Sequence, residues 1–342
     1  MGATLRTTVY AAAFVLTLAR VSPVNAHHSN APFDLDEIIY FDATVTGFEW
    51  KSPHVFVRVT TETDSGPVDL QVEGDGVAIL APLGWSRDSF AVGDTVLVEA
   101  NPARNPARRA VLGRSLTKRD GSVFFPNPEF ISTATPASNY VASSMTGSWL
   151  PRREDFYTYL RSVGSWSLTE KGRSYLSQYD GTQNPQANCI SVSSPVIMVY
   201  MVYTELEVLA DRVVMRSDWM NVERVIYTDG RGHPSNGERT PQGHTIGRWE
   251  DDVLVMDTAL FSEHSGGLVV GVPSGEQKHI EERLSLSADG TALNYEFLLE
   301  DPEYLIEPVK GAARWDYRPD LSKAAGDCDI EAAQRFLSVP LN

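Results

Sequence analysis

Long parts of the chain alternate apolar and polar residues in steps of two. In HVFVRVTTE (His54–Glu62), Val55, Val57 and Val59 alternate with Phe56, Arg58 and Thr60. That period turns one face of a strand to a core and the other to water. Similar runs at 39–49, 68–73, 95–100 and 110–118 bring the count to five predicted strands. Between the third and fourth, GDGVAILAPLGW suits one short helix, and Gly93-Asp94 turns the chain into the next strand. Five strands with a helix after the third is the order of a small OB-like barrel.

The pattern lapses in PNPEFISTATPASNYVASSMTG, which is rich in Pro, Ser, Thr and Ala and reads as a linker. Irregular or helical sequence follows to about Gln186. Strand-like runs then recur at 196–208, 212–216, 222–228, 244–249, 253–258, 279–286, 293–299 and 310–317. Short polar turns at 210–211, 250–252 and 288–290 join them, the mark of an antiparallel meander. About eight such strands predict an up-and-down, lipocalin-like barrel or a strongly curved sheet around a cavity. CDIEAAQRFL (Cys328–Leu337) predicts a closing helix, capped by Asp329, with Ile330, Ala333 and Leu337 on one face. The fold class is therefore mainly β: an OB-like domain at 27–126, a linker at 127–147, a barrel at 148–320 and a tail at 321–342.

Residues 1–26 read differently. Arg6 precedes the apolar run Tyr10–Ala19, and Val24-Asn25-Ala26 ends in a small residue, the pattern of a cleavable signal peptide. The run is too short to span a bilayer, which takes about 20 residues. A periplasmic or secreted protein without a transmembrane anchor is the expectation. The net charge of -16 becomes more negative once Arg6 and Arg20 leave. Such a chain repels phosphate backbones and anionic lipid surfaces, so nucleic acid is set aside as a partner. In an oxidising compartment, the two cysteines, Cys189 and Cys328, are expected to form a disulfide.

HHS after the leader, FEWKSPH (Phe48–His54) and GWSRDSFAVGDTVLVE (Gly84–Glu99) resemble the secreted bacterial DUF6152 family. Ser52 stands where that family usually has Asn. The second half, through IYTDGRGHP, GHTIGRWEDDVLVMDT, HIEERLSL and EDPEYL, resembles a region often fused to it. The resemblance implies fold and export and names no reaction.

Three sets of residues carry candidate chemistry. Cleavage after Ala26 gives His27 a free α-amine beside its imidazole; with His28 or His54 it offers a nitrogen set suited to copper. In the second domain Asp229, His233, His244, Asp257, His264, His279, Glu281 and Glu282 combine histidines with carboxylates, which is acid–base chemistry near neutral pH. His233, His244 and His279 are the candidate acid and base groups there, with Asp229 and Glu282 orienting them. Of the many aromatics, Tyr203, Tyr227, Trp249 and Trp315 are the candidate ligand contacts. No HExxH, CxxC, GxSxG, Walker or Rossmann pattern occurs, and VSSPV (Val192–Val196) has serines without a nucleophile motif. The leading expectation is an exported barrel that takes a small, largely apolar or aromatic molecule, with cofactor-free elimination or isomerisation as its chemistry. The competing expectations are a copper- or ligand-binding protein without catalysis and an envelope interaction module.

Overall fold

The computed structural model describes residues 32–105, 107–179 and 183–335. The expected signal peptide, His27 and His28 lie outside the described residues.

The first barrel is built from β1 (Ile39–Glu49), β2 (Val55–Thr63), β3 (Gly66–Gly74), α1 (Val77–Leu80), β4 (Thr95–Pro102) and β5 (Ala110–Lys118). The short β6 (Val123–Phe124) extends β5. Strands pair in the order β3-β2-β1-β4-β5, and a parallel β3–β5 pairing closes the ring. The alternation explains it: Val45, Val55, Val57, Val59, Val96 and Val98 are buried, and α1 buries all four of its residues over one end.

A connector leads to β7 (Gly147–Pro151), α2 (Arg153–Ser162), α3 (Glu170–Gln178) and α4 (Val196–Val199). The connector packs as it goes: Asn127 binds the carbonyls of Glu73 and Gly113, and Ser138 Oγ donates to the Tyr317 carbonyl. Then come β8 (Thr204–Val208), β9 (Arg212–Ser217), β10 (Glu223–Tyr227), β11 (His244–Glu250) and β12 (Val253–Ala259). A small hairpin, β13 (His264–Val269) with β14 (Val272–Ser274), precedes β15 (His279–Leu286), β16 (Ala292–Glu300) and β17 (Val309–Tyr317). The closing helix is α5 (Ile330–Gln334).

Strands β7–β12 and β15–β17 close into a barrel of nine. The ninth, β7, falls at the boundary between the predicted linker and domain, in a run too short for periodicity to mark. All neighbours are antiparallel except β10 and β11, which run parallel and share only the register pairs Ile226–Thr245 and Tyr227–Ile246.

The run at 196–208 is not one strand. Its first part is the helix α4, and only Thr204–Val208 is extended. Residues 196–204 are all buried, so no alternation distinguishes a buried helix from a buried strand.

Inside the second barrel, Leu254, Leu284, Tyr295 and Ala313 stand in one row across four strands, beside Trp149 and Trp315, all buried. Cys189 and Cys328 are joined in a disulfide, with their Cα atoms 5.8 Å apart. Asp329 caps α5 as expected, but Ile330 is exposed; α5 packs through the small Ala332 and Ala333. The same segment reaches the first barrel: the Asp329 N–H donates to the Ser52 carbonyl, Lys51 pairs with Asp329, and Arg335 with Glu49. Among the described residues no helix is long and apolar enough to cross a membrane.

Candidate functional site

Strand parity decides which groups of the second barrel meet. Thr245, Thr258 and Ile280 point inward and are buried. His244, Asp257 and His279, next to them in sequence, therefore stand on the outer wall near one rim. The register sets Asp257 opposite both Ile246 and Glu281, two residues along from His244 and His279 on the same faces. His233, from the loop between β10 and β11, folds back onto this wall.

Two of the three candidate histidines meet on Asp257, and the third joins them through His233. His233 Nε2 is 2.7 Å from Asp257 Oδ1, and His279 Nε2 is 3.0 Å from Oδ2. His233 Nδ1 lies 2.9 Å from His244 Nδ1. On the far side, His279 Nδ1 is 3.5 Å from Glu300. Tyr227 stacks on His244 with ring centres 5.4 Å apart, and the Arg231 guanidinium covers Tyr227 at 4.0 Å. Asp229 holds Arg231 in a bidentate pair, so it acts on the cluster only through Arg231.

With both His233 and His244 neutral, the hydrogen bonds allow one arrangement of tautomers. The Asp257 carboxylate accepts from Nε2–H of both His233 and His279. Neutral His233 then has its lone pair on Nδ1, which accepts from His244 Nδ1–H. His244 is left with an unprotonated Nε2. Partial burial, then the charges of His233 and Arg231, hold the His244 imidazole below its ordinary pKa, so it is neutral at pH 7. Burial pushes the Asp257 carboxyl up, but hydrogen bonds from His233 and His279 outweigh it and the net shift is downward.

His244 and Tyr227 also line a cavity of about 450 Å³ where β10 and β11 splay apart, with Arg224, Thr245, Ser191 and the loop Thr240–Gly243. Gly243 is needed there: its φ is +69°, and a Cβ would lie 2.7 Å from the Ala259 carbonyl.

Glu282 does not join the histidines. It points inward, fully buried, in a bidentate pair with Arg224, and accepts from Tyr295 and Thr258 hydroxyls. Both members are held charged: Arg224 draws the Glu282 carboxyl below its ordinary range and is itself raised. The candidate aromatics separate as well. Tyr203 is buried with its hydroxyl 3.1 Å from Ser148 Oγ, Trp315 is core with its indole bound to the Met198 carbonyl, and Trp249 is 41% exposed at a strand end. Of the four, Tyr227 lines the cavity, and its ring contacts both His244 and Arg231.

Reasoning from sequence missed Arg224 and Lys278. Arg224 shares parity with the buried Val222 and Ile226, a signal that it is an inward charge needing a partner. Lys278 had no such signal, since it precedes its strand.

Residues 15–112 match DUF6152, a family of unknown function. The DUF6152 match covers the first barrel into β5 and none of the histidine cluster. No curated protein matches the chain. Within the DUF6152 region His54 is buried, beside Phe56 and 3.6 Å from Glu73, and burial holds its imidazole down to about 4. Among the described residues no group of three or more His, Cys, Asp or Glu is placed to hold a metal ion.

Proposed function

We propose that this is an exported protein whose second barrel carries a cofactor-free acid–base site on its outer wall, with His244 as the base. A small planar molecule entering the cavity beside His244 is the substrate class, and proton abstraction leading to elimination or isomerisation is the reaction. The Asp257–His233–His244 chain, ending on a cavity, is the observation that carries this reading. When Nε2 of His244 takes a proton, its Nδ1 proton passes to His233, and the resulting imidazolium rests against Asp257. Positive charge is thus moved one ring away from the base and neutralised by a carboxylate. His279 holds the other oxygen of Asp257 and fixes its orientation. Export is supported by the disulfide and the leader-like pattern of residues 1–26.

The test uses 5-nitrobenzisoxazole, a planar aromatic whose ring opens when a base removes one proton. The folded protein is expected to open it faster than buffer, and His244→Ala to lose about 100-fold or more of that rate. A folded His244→Ala protein as active as the parent would remove His244 from the role.

A further inference from the structure

A second set of reactive groups lies behind the cavity wall. Lys278 is 1% exposed, yet among the described residues its Nζ meets neutral partners: Ser193 Oγ at 2.8 Å, the Gly267 carbonyl at 2.8 Å and the face of Phe261 at 4.3 Å. Asp301, Glu282, Arg224 and His264 act on it from longer range. Ser193 is also fully buried, and its hydroxyl lies 2.5 Å from the carbonyl of Pro241. Pro241, with Ser191 and Gln242, lines the cavity at the β10–β11 joint, so one residue separates Ser193 from that space. Two more buried hydroxyls, Ser194 Oγ and Ser274 Oγ, have no hydrogen-bond partner among the described residues. Ser274 sits against Gly267, whose carbonyl holds Lys278: a Cβ on Gly267 would lie 1.9 Å from Ser274 Oγ.

A lysine sealed from water without a carboxylate at contact distance is an expensive structural choice, because desolvation favours its neutral form. Burial brings Lys278 down to about 7. A neutral amine at hydrogen-bond distance from a serine hydroxyl is a general base beside a nucleophile. We propose that Ser193 and Lys278 form a serine–lysine dyad that accepts acyl groups from small esters or amides through the cavity at the β10–β11 joint.

In this step Pro241 releases Ser193 and the hydroxyl turns to Lys278. Ser193 Oγ bonds to the acyl carbon as its proton moves to Lys278 Nζ, and the carbonyl electron pair moves to oxygen. Return of that pair breaks the bond to the leaving group, which takes the proton from Lys278. Water repeats the sequence on the acyl-serine, giving a carboxylic acid and restoring Ser193. This reaction is independent of the outer-wall histidines.

The test is labelling of the full chain with an alkyl fluorophosphonate, followed by intact mass and peptide mapping. Ser193 Oγ bonds to phosphorus, the P–F bond breaks, fluoride leaves and Lys278 takes the proton. One adduct per chain is expected, on Ser193, with a rate that rises through about pH 7. Ser193→Ala should abolish it, and Lys278→Met should slow it by about 100-fold or more. Should Lys278→Met fail to fold, the pH dependence of the unaltered protein decides in its place. Absence of any adduct between pH 6 and 9, an adduct on another residue, or a rate indifferent to pH overturns the proposal.

Discussion

The same strands carry two polar clusters on opposite faces, and they are built on opposite plans. Inside, Arg224, Glu282, Tyr295, Thr245 and Thr258 are buried, and the carboxylate is bound by a bidentate guanidinium and two hydroxyls. Outside, His244, His233, Asp257 and His279 form a hydrogen-bonded chain of imidazoles around one carboxylate, partly open to water, with His244 at one end. A closed network of permanent charges fixes strand positions. An open-ended chain of imidazoles on a carboxylate suits the proton transfer proposed for it. Adjacent residues, such as Asp257 and Thr258, serve the two purposes because a strand turns successive side chains to opposite faces.

The strongest way to break this comparison is Glu282→Ala. It leaves Arg224 buried without its counter-charge and should cost about 3–5 kcal/mol of stability, read from urea unfolding. A loss below about 1 kcal/mol would mean that the interior cluster does not hold the barrel. Next comes the pH dependence of the interior. Lys278 is held at about 7 against an ordinary 10.5, so between those values the unfolded chain binds a proton that the folded chain lacks. The Lys278 contribution to stability should therefore rise with pH across that window, by up to about 1.4 kcal/mol per unit; the Asp75 carboxyl, pushed up to about 8 by burial, opposes it below about pH 8, and Lys278→Met should lower the slope above that. Thermal melts from pH 7 to 10 measure both.

On the outer wall, Asp257→Asn should barely change stability, by about 1 kcal/mol or less, because the site is partly exposed. It should instead change the imidazole tautomers. Nitrogen-15 shifts are expected to show His244 protonated at Nδ1 in the parent and no longer fixed there in the variant. An Nε2–H tautomer in the parent breaks the proposed chain. The smallest effect is expected from Tyr227→Leu, which removes the ring between Arg231 and His244; about 0.5–1 kcal/mol is the scale of one exposed cation–π contact.

Much of this was legible in the sequence, for one reason. Period-two alternation marks a strand with one wet face, and it located the strands of the first barrel and most of the second. It failed where both faces are dry, as in Val196–Val199. The histidine set was legible because His244 and His279 open strands and His233 sits in the loop between two of them. Grouping Glu282 with them ignored parity: it alternates in phase with Ile280 and Leu284 and so belongs inside. The Lys278–Ser193 contact joins residues 85 apart through no motif.

A ring of alternating directions closes without fault only when its members are even in number. With nine, one joint must set two like-directed neighbours side by side, wherever the others are placed. The cavity, the histidine chain and the wall over Ser193 all gather at that joint. A relative of this chain that gained or lost a single strand would have no arithmetic need for the joint, and the opening that depends on it would close.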